Sequence, residues 1–134
     1  MSSVRDAITP SAWERLREEV RAGARHRCEA CGARPARLAD ELWEYDDVSH
    51  VQRLVRMLAL CARCHEARRM DRVGEMRAGQ KALEHLARVN RWTVEQAVRY
   101  RAATFRRWRE RSRTRWSIDL GALEAYGVDP ESVL

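Results

Sequence analysis

Two Cys-x-x-Cys pairs, "CEAC" at Cys28 and Cys31 and "CARC" at Cys61 and Cys64, stand 29 residues apart in this chain. Each pair can present two thiolates from one tight turn, so together they offer four ligands at tetrahedral angles to a single Zn²⁺. The fold must then bring residues 28–31 against residues 61–64, and the chain between them must leave and return. Gly32 follows Cys31 where the turn of a zinc knuckle needs it. Four unrelated buried cysteines, or iron-sulfur ligation, are the alternatives to zinc. A four-thiolate zinc site is closed and keeps no catalytic position.

A metal staple answers a need that composition raises. The 134 residues suit one domain with one modest core, and 45% are hydrophobic, but 34% are charged and aromatics other than tryptophan are scarce. Burial alone gives a thin core, which structural zinc would supplement by on the order of 10 kcal/mol. No stretch approaches the roughly 20 apolar residues of a membrane span, and the N-terminus lacks a charged-then-apolar signal segment. The expectation is a cytoplasmic protein with no membrane partner, in whose reducing surroundings disulfides are poor candidates.

The segment between the pairs reads as a β-hairpin, with strands at 38–45 and 51–60 joined through "DDVSH". "CARCHEARRM" then opens a short helix, and Gly74 and Gly79 mark a looser connector. Before the first pair, Thr9 and Pro10 start a helix running to about Ala22, with Trp13, Leu16 and Val20 at helical spacing. After the connector, "QKALEHLARVN" reads as a short amphipathic helix with Leu83, Leu86 and Val89 on one face and Asn90 as its stop. Thr93 with Gln96 forms a capping box for a long helix to about Ser112, whose apolar face carries Val94, Val98, Ala102, Phe105 and Trp108. "WSIDL" reads as a short extended segment and "LEAYG" as a final turn. The expected architecture is α+β and mostly helical: a single domain over 1–134, with an N-terminal helix in 1–27, a zinc-stapled ββα core at 28–72 and a helical extension over 73–134.

A knuckle, a hairpin and a second knuckle opening a helix is the order of a treble clef, and residues Cys28 to Met70 resemble the HNH endonuclease superfamily. More narrowly, "ELWEYDD", "VQRL" and "LALCARCHEARR" are similar to a bacterial branch in which "HEVW.YD" is followed by "LC..CH..KH". "VNRWT" and "W.IDL" resemble that branch too, so the likeness covers about residues 13 to 126. It implies metal-dependent phosphodiester hydrolysis, DNA nicking or cleavage, at a second site beside the zinc. His65 matches the helix histidine of that site and is the leading ligand for a catalytic Mg²⁺ or Mn²⁺. The strand departs from the pattern: Asp40 stands where the branch has its histidine, or, with one residue of slip, Asp40 takes an acidic ligand position and Glu41 that of the base.

Strand neighbours point to opposite faces, so one of Asp40 and Glu41 is expected to face the cation. Either suits a hard cation, but an ordinary carboxylate pKa of about 4 lies roughly two units below imidazole and makes a poor base. Arg69 stands where the branch has a further histidine, and His50 in the hairpin connection is a substitute base; His26 and His85 look incidental.

The net charge of +6, carried almost wholly by arginine, favours a polyanionic partner. Arg68, Arg69 and Arg72 on or near the knuckle helix, with Arg99, Arg106, Arg107, Arg109, Arg111, Arg113 and Arg115 on the long helix and its end, are the candidate phosphate contacts, Arg106 and Arg107 foremost among the latter, and DNA is expected over RNA. A solvated helix surface is the plainer reading of those arginines. Three functions follow: a nuclease with a variant site, an HNH-derived protein that binds nucleic acid without cutting it, or a zinc-stabilised protein-interaction module. A homodimer or protein partner is compatible with each.

Overall fold

Thr9 caps the backbone N–H of Ala12, and Pro10 supplies the fixed φ of a first helical turn, so a helix begins where those residues stand. In the computed structural model, which describes residues 3–69, 76–129 and 132–134, this helix α2 spans Pro10–Gly23. A one-turn helix α1 (Val4–Ala7), absent from the sequence reading, precedes it with Ser3 as cap. Thr9 N–H donates to the Ser132 carbonyl and Leu134 N–H to the Ala7 carbonyl, which ties the two ends of the chain together.

Strands β1 (Leu38–Asp46) and β2 (Val51–Leu60) form the expected antiparallel hairpin, and β3 (Ser117–Asp119) adds to β2 in parallel, giving the order β1-β2-β3. The ladder slips between Leu42 and Trp43: Leu42 opposes Arg56 and Trp43 opposes Leu54, leaving Val55 as the extra residue of a bulge. β1 is therefore a sheet edge, and its outer side is open to whatever packs beside it.

The main core lies between α2 and the hairpin. Leu16 and Val20 of α2 meet Leu54, Met57, Leu58 and Leu60 of β2, with Val4 and Ile8 from the N-terminus and Leu123 from a 3-10 helix at Gly121–Tyr126. Cys28 and Cys64 are buried members of this cluster, so the cysteine site is continuous with the core. Tyr126 accepts the Met57 backbone N–H on its hydroxyl at 2.9 Å, which fixes the C-terminal segment to β2.

Helix α3 (Ala62–Arg69) leaves the second cysteine pair, as the spacing predicted. Helix α4 (Met76–Asn90) is longer than expected and includes Gly79, so Gly79 is no connector. A Cβ there would stand 3.4 Å from the Arg101 guanidinium of α5, an ordinary contact with the end of a flexible side chain. Gly74 and Arg72 lie outside the described residues. Helix α5 (Val94–Arg111) opens with the predicted capping box, Thr93 Oγ1 accepting from Gln96 N–H and Gln96 Oε1 from Thr93 N–H. A second small core joins α3, α4 and α5 through Ala67, Ala82, Leu83, Ala87 and Ala97, walled by Leu86 and Trp92.

The face that α5 turns inward differs from the one its hydrophobicity suggested. Ala97, Arg101, Thr104, Trp108 and Arg111 recur at spacings of four and three and are the more buried positions, with Ala97 fully enclosed. Val94, Val98 and Phe105 are 42%, 39% and 41% exposed. The small Ala97 lets α5 lie close on the helix pair beneath it. Among the described residues, no helix is long and apolar enough to cross a membrane.

Candidate metal centre and arginine-lined groove

The two knuckles are held by backbone bonds before any metal is considered. Cys28 N–H donates to the Ala33 carbonyl and Gly32 N–H to that of Cys28, with Gly32 at φ 80°, a conformation that favours glycine. Glu29 ties this knuckle to β2: its N–H donates to the Ala59 carbonyl, its carboxylate accepts the Ala59 N–H, and it also pairs with Arg56 at 2.9 Å. In the second knuckle, Cys64 N–H points at Cys61 Sγ at 3.5 Å and His65 N–H donates to the Cys61 carbonyl.

The four sulfurs lie within 4.8 Å of one another. A tetrahedron with zinc-sulfur arms of about 2.3 Å has edges of about 3.8 Å. The Cys31 and Cys61 sulfurs are already 3.7 Å apart, so the cluster fits such an ion with little contraction. The four cysteines are placed to hold a metal ion, and their geometry is compatible with structural zinc.

The thiols differ in readiness to ionise. Burial pushes the Cys28 thiol up, but bonds from the Cys61, Cys31 and Ala30 backbone and from Cys64 outweigh it, and its pKa falls to about 7. Burial raises Cys31, and burial together with bonds to the other three cysteines drives Cys64 far above a free thiol. Concentrating four thiols disfavours their joint ionisation, a cost that a bound cation removes.

His85, which looked incidental in the sequence, lies beside this cluster. Its Nε2 is 3.1 Å from Cys64 Sγ, the ring is 9% exposed, and burial followed by Arg88 and Arg63 depresses its pKa. A neutral imidazole carrying its proton on Nε2 donates to the Cys64 thiolate and leaves Nδ1 as an acceptor, which has no partner among the described residues. The signal was present in the sequence: His85 shares the inward stripe of α4 with Ala82, Leu86 and Val89, where a polar ring must be buried.

The second site predicted from sequence lies on one groove of about 950 Å³, between α2 and β1 on one side and α5 on the other, with α3 at its floor. Asp40, Glu41 and His65 all line it. The two carboxylates take different partners, although both line the groove where alternation led one to be expected. Asp40 Oδ2 pairs with Arg68 Nε at 3.2 Å, and Oδ1 accepts the Glu41 N–H. Glu41 accepts the Val4 N–H at 2.8 Å and the Trp43 indole N–H at 3.1 Å, fastening the N-terminal turn to the edge strand. Among the described residues, the four cysteines are the one group of three or more His, Cys, Asp and Glu side chains gathered tightly enough to hold a metal. Asp40, Glu41 and His65 thus share a wall without converging as a three-ligand set.

Arg68 also donates to the Glu41 carbonyl at 2.9 Å. Arg107 lines the groove together with Arg5, Arg17, Arg101 and Arg111, whereas Arg106 lies on the outer side of α5. Arg69 closes α3, and Arg72 falls outside the described residues. Arg101 was not singled out for phosphate, because the apolar residues of α5 were read as its inner face. Arg111 bolts the end of α5 to the hairpin tip: its guanidinium makes two bonds to Asp47, at 3.0 and 3.1 Å, and stands 4.1 Å over the Tyr45 ring. Trp116 wedges between Tyr45 and His50 and donates to the Arg111 carbonyl. His50 is therefore a hairpin residue packed on Trp116, and it does not line the groove. Helix α5 becomes an arch, packed on α3 and α4 at its start and bolted to the hairpin at its end.

No protein-family model, curated protein or solved structure matches the chain.

Proposed function

We propose that this chain is an HNH-like protein, a treble clef built on zinc-loaded Cys28, Cys31, Cys61 and Cys64, that holds nucleic acid in the groove beneath α5, DNA in preference to RNA. The observation that carries the reading is the orientation of α5. A helix with apolar residues to spare turns Arg101, Arg107 and Arg111 toward the groove and leaves its valines to solvent. Arg111 is already matched to Asp47, but Arg101 and the exposed Arg107 add cationic charge along the groove, which fits a phosphate chain as its occupant. Tyr100 and Trp108 on the same wall offer flat faces beside it. In a salt series with a labelled duplex, Arg101→Ala with Arg107→Ala should lower the slope of log K against log salt by about two, at about 0.9 per phosphate contact. Wild-type binding with no salt dependence, or a double variant that binds as tightly as wild type, would refute the groove.

A nuclease is the second reading, favoured by the presence of Asp40, Glu41 and His65 on that same wall. As folded these side chains do not form a three-ligand set, and no step through a divalent cation is derived. What the chain's own residues can do is exchange partners. An arriving phosphate competes with Asp40 for Arg68, and drawing Arg68 away leaves the Asp40 carboxylate facing the groove beside His65. Nicking of supercoiled plasmid that requires Mg²⁺ or Mn²⁺, stops with EDTA, and is lost in both Asp40→Ala and His65→Ala would establish this reading. Tight binding without cutting under all those conditions would reject it and leave the grip alone.

A further inference from the structure

A second basin of about 810 Å³ lies behind the zinc knuckle, bounded by the Arg34–Pro35 loop, the start of α3 and the end of α4. Four arginines line it: Arg34 and Arg37 from the loop, Arg63 from α3 and Arg88 from the last turn of α4. All four are exposed, and among the described residues none has a side-chain hydrogen bond or ion pair. Several arginines elsewhere on the molecule are instead matched to carboxylates. Arg68 is matched to Asp40, Arg111 to Asp47, Arg56 to Glu29 and Arg53 to Glu44. Among the described residues, no carboxylate lines the basin. A zinc tetrathiolate beneath it would carry about two negative charges, which offsets about half of the four guanidinium charges and leaves a net positive surface.

The basin is not isolated from the groove. Leu38, at the start of β1, lines both, so a strip of surface runs from Arg107 and His65 past Leu38 to Arg37 and on to Arg34, Arg63 and Arg88. We propose that the basin behind the zinc knuckle is a second phosphate-contacting surface, over which a nucleic acid held in the groove continues past Leu38. The inference rests on the nucleic-acid reading of the groove and extends it to residues on the opposite side of the cysteine site. An acidic protein segment would meet the same charge, but continuity with the groove favours one polyanion long enough to cross both. The apolar floor, formed by Ala30, Ala33, Pro35 and Val89, suits the sugar edge of such a backbone.

The test uses the full zinc-loaded chain and a fluorescent duplex long enough to span both surfaces, titrated from 0.05 to 0.5 M salt, a range of about one decade. Two double variants are compared with wild type: Arg34→Ala with Arg88→Ala for the basin, and Arg101→Ala with Arg107→Ala for the groove. Zinc content and circular dichroism confirm that each is folded. The basin variant should lower the salt slope by about two and weaken binding on the order of 50-fold at 0.1 M salt, each lost contact carrying about 0.9 of slope. Loss in the basin variant alone would support the basin and reject the groove. Loss in the groove variant alone would overturn the basin and leave the groove standing. Absence of salt-dependent binding in wild type would overturn both, and weaker binding with an unchanged slope would also overturn the basin, because its contacts would not be to phosphate.

Discussion

Removing zinc from the folded chain should unfold its centre as well as its knuckles. Cys28 and Cys64 belong to the same buried cluster as Leu16, Leu54 and Leu60, so a metal held there would close the core. Structural zinc contributes about 10 to 16 kcal/mol of apparent folding free energy in small modules near pH 7. A domain of this size has a total stability of about 5 to 15 kcal/mol, so the metal accounts for most or all of it. With an unfolding entropy of about 2.1 cal/mol/K per residue, 134 residues give roughly 0.28 kcal/mol/K, and losing 10 kcal/mol corresponds to a fall in Tm of about 35 °C. The assay is thermal unfolding followed by far-ultraviolet circular dichroism, with and without a zinc-selective chelator, alongside metal analysis. The chain should carry one zinc, and the chelated form should show little cooperative melting at any temperature. A chelated chain that melts cooperatively within about 5 °C of the loaded one would refute the idea that the cysteine site closes the core.

Three further outcomes follow. His85→Ala removes the Nε2–H donor beside Cys64 and should weaken zinc affinity by about 10- to 100-fold in a chelator competition, with part of the loss recovered in His85→Gln. Zinc affinity should fall as pH falls, because Cys31 and Cys64 are raised and keep their protons at neutral pH until metal displaces them; Cys28, lowered to about 7, keeps its thiolate above that pH and adds about one more proton to the slope below it. Zinc titrations buffered between pH 6 and 8 would show that steepening, and a flat profile would exclude thiolate ligation. Val98→Ser should cost about 1 kcal/mol or less and Phe105→Ser about 0.5 to 1.5 kcal/mol through its stack on Trp108, whereas Ala97→Leu, which overpacks an enclosed contact, should cost about 1 to 3 kcal/mol in denaturant unfolding.

The elements with local chemical causes were legible in the sequence. The Thr9–Pro10 start of α2, the Thr93–Gln96 box of α5, the hairpin between the knuckles and the cysteine cluster all stand where their residues put them. What was illegible depends on which surface a helix finds. Periodicity located an apolar stripe on α5 but could not reveal which face packs inward, so Arg101 was missed and Arg106, named from sequence, stands on the outer side of the helix. A polar face turned inward carries no sequence mark distinct from a solvated one. His85 was misjudged because its burial depends on α4 packing against α3, a contact between residues 21 positions apart. Strand alternation led one of Asp40 and Glu41 to be expected toward the site, whereas both line the groove, and their commitments to Arg68 and to Val4 arise from tertiary packing alone.

The central claim, nucleic acid beneath α5, can be examined by placing a photo-crosslinking phenylalanine derivative at Tyr100, which is half exposed and lines the groove, and in a control chain at Val55, which is exposed on β2 and lines neither surface. Irradiation with a labelled duplex at 0.1 M salt should give a protein-DNA adduct from the Tyr100 position that competes away with unlabelled duplex, and none from Val55. Equal adducts from both positions, or an adduct from Val55 alone, would contradict the account.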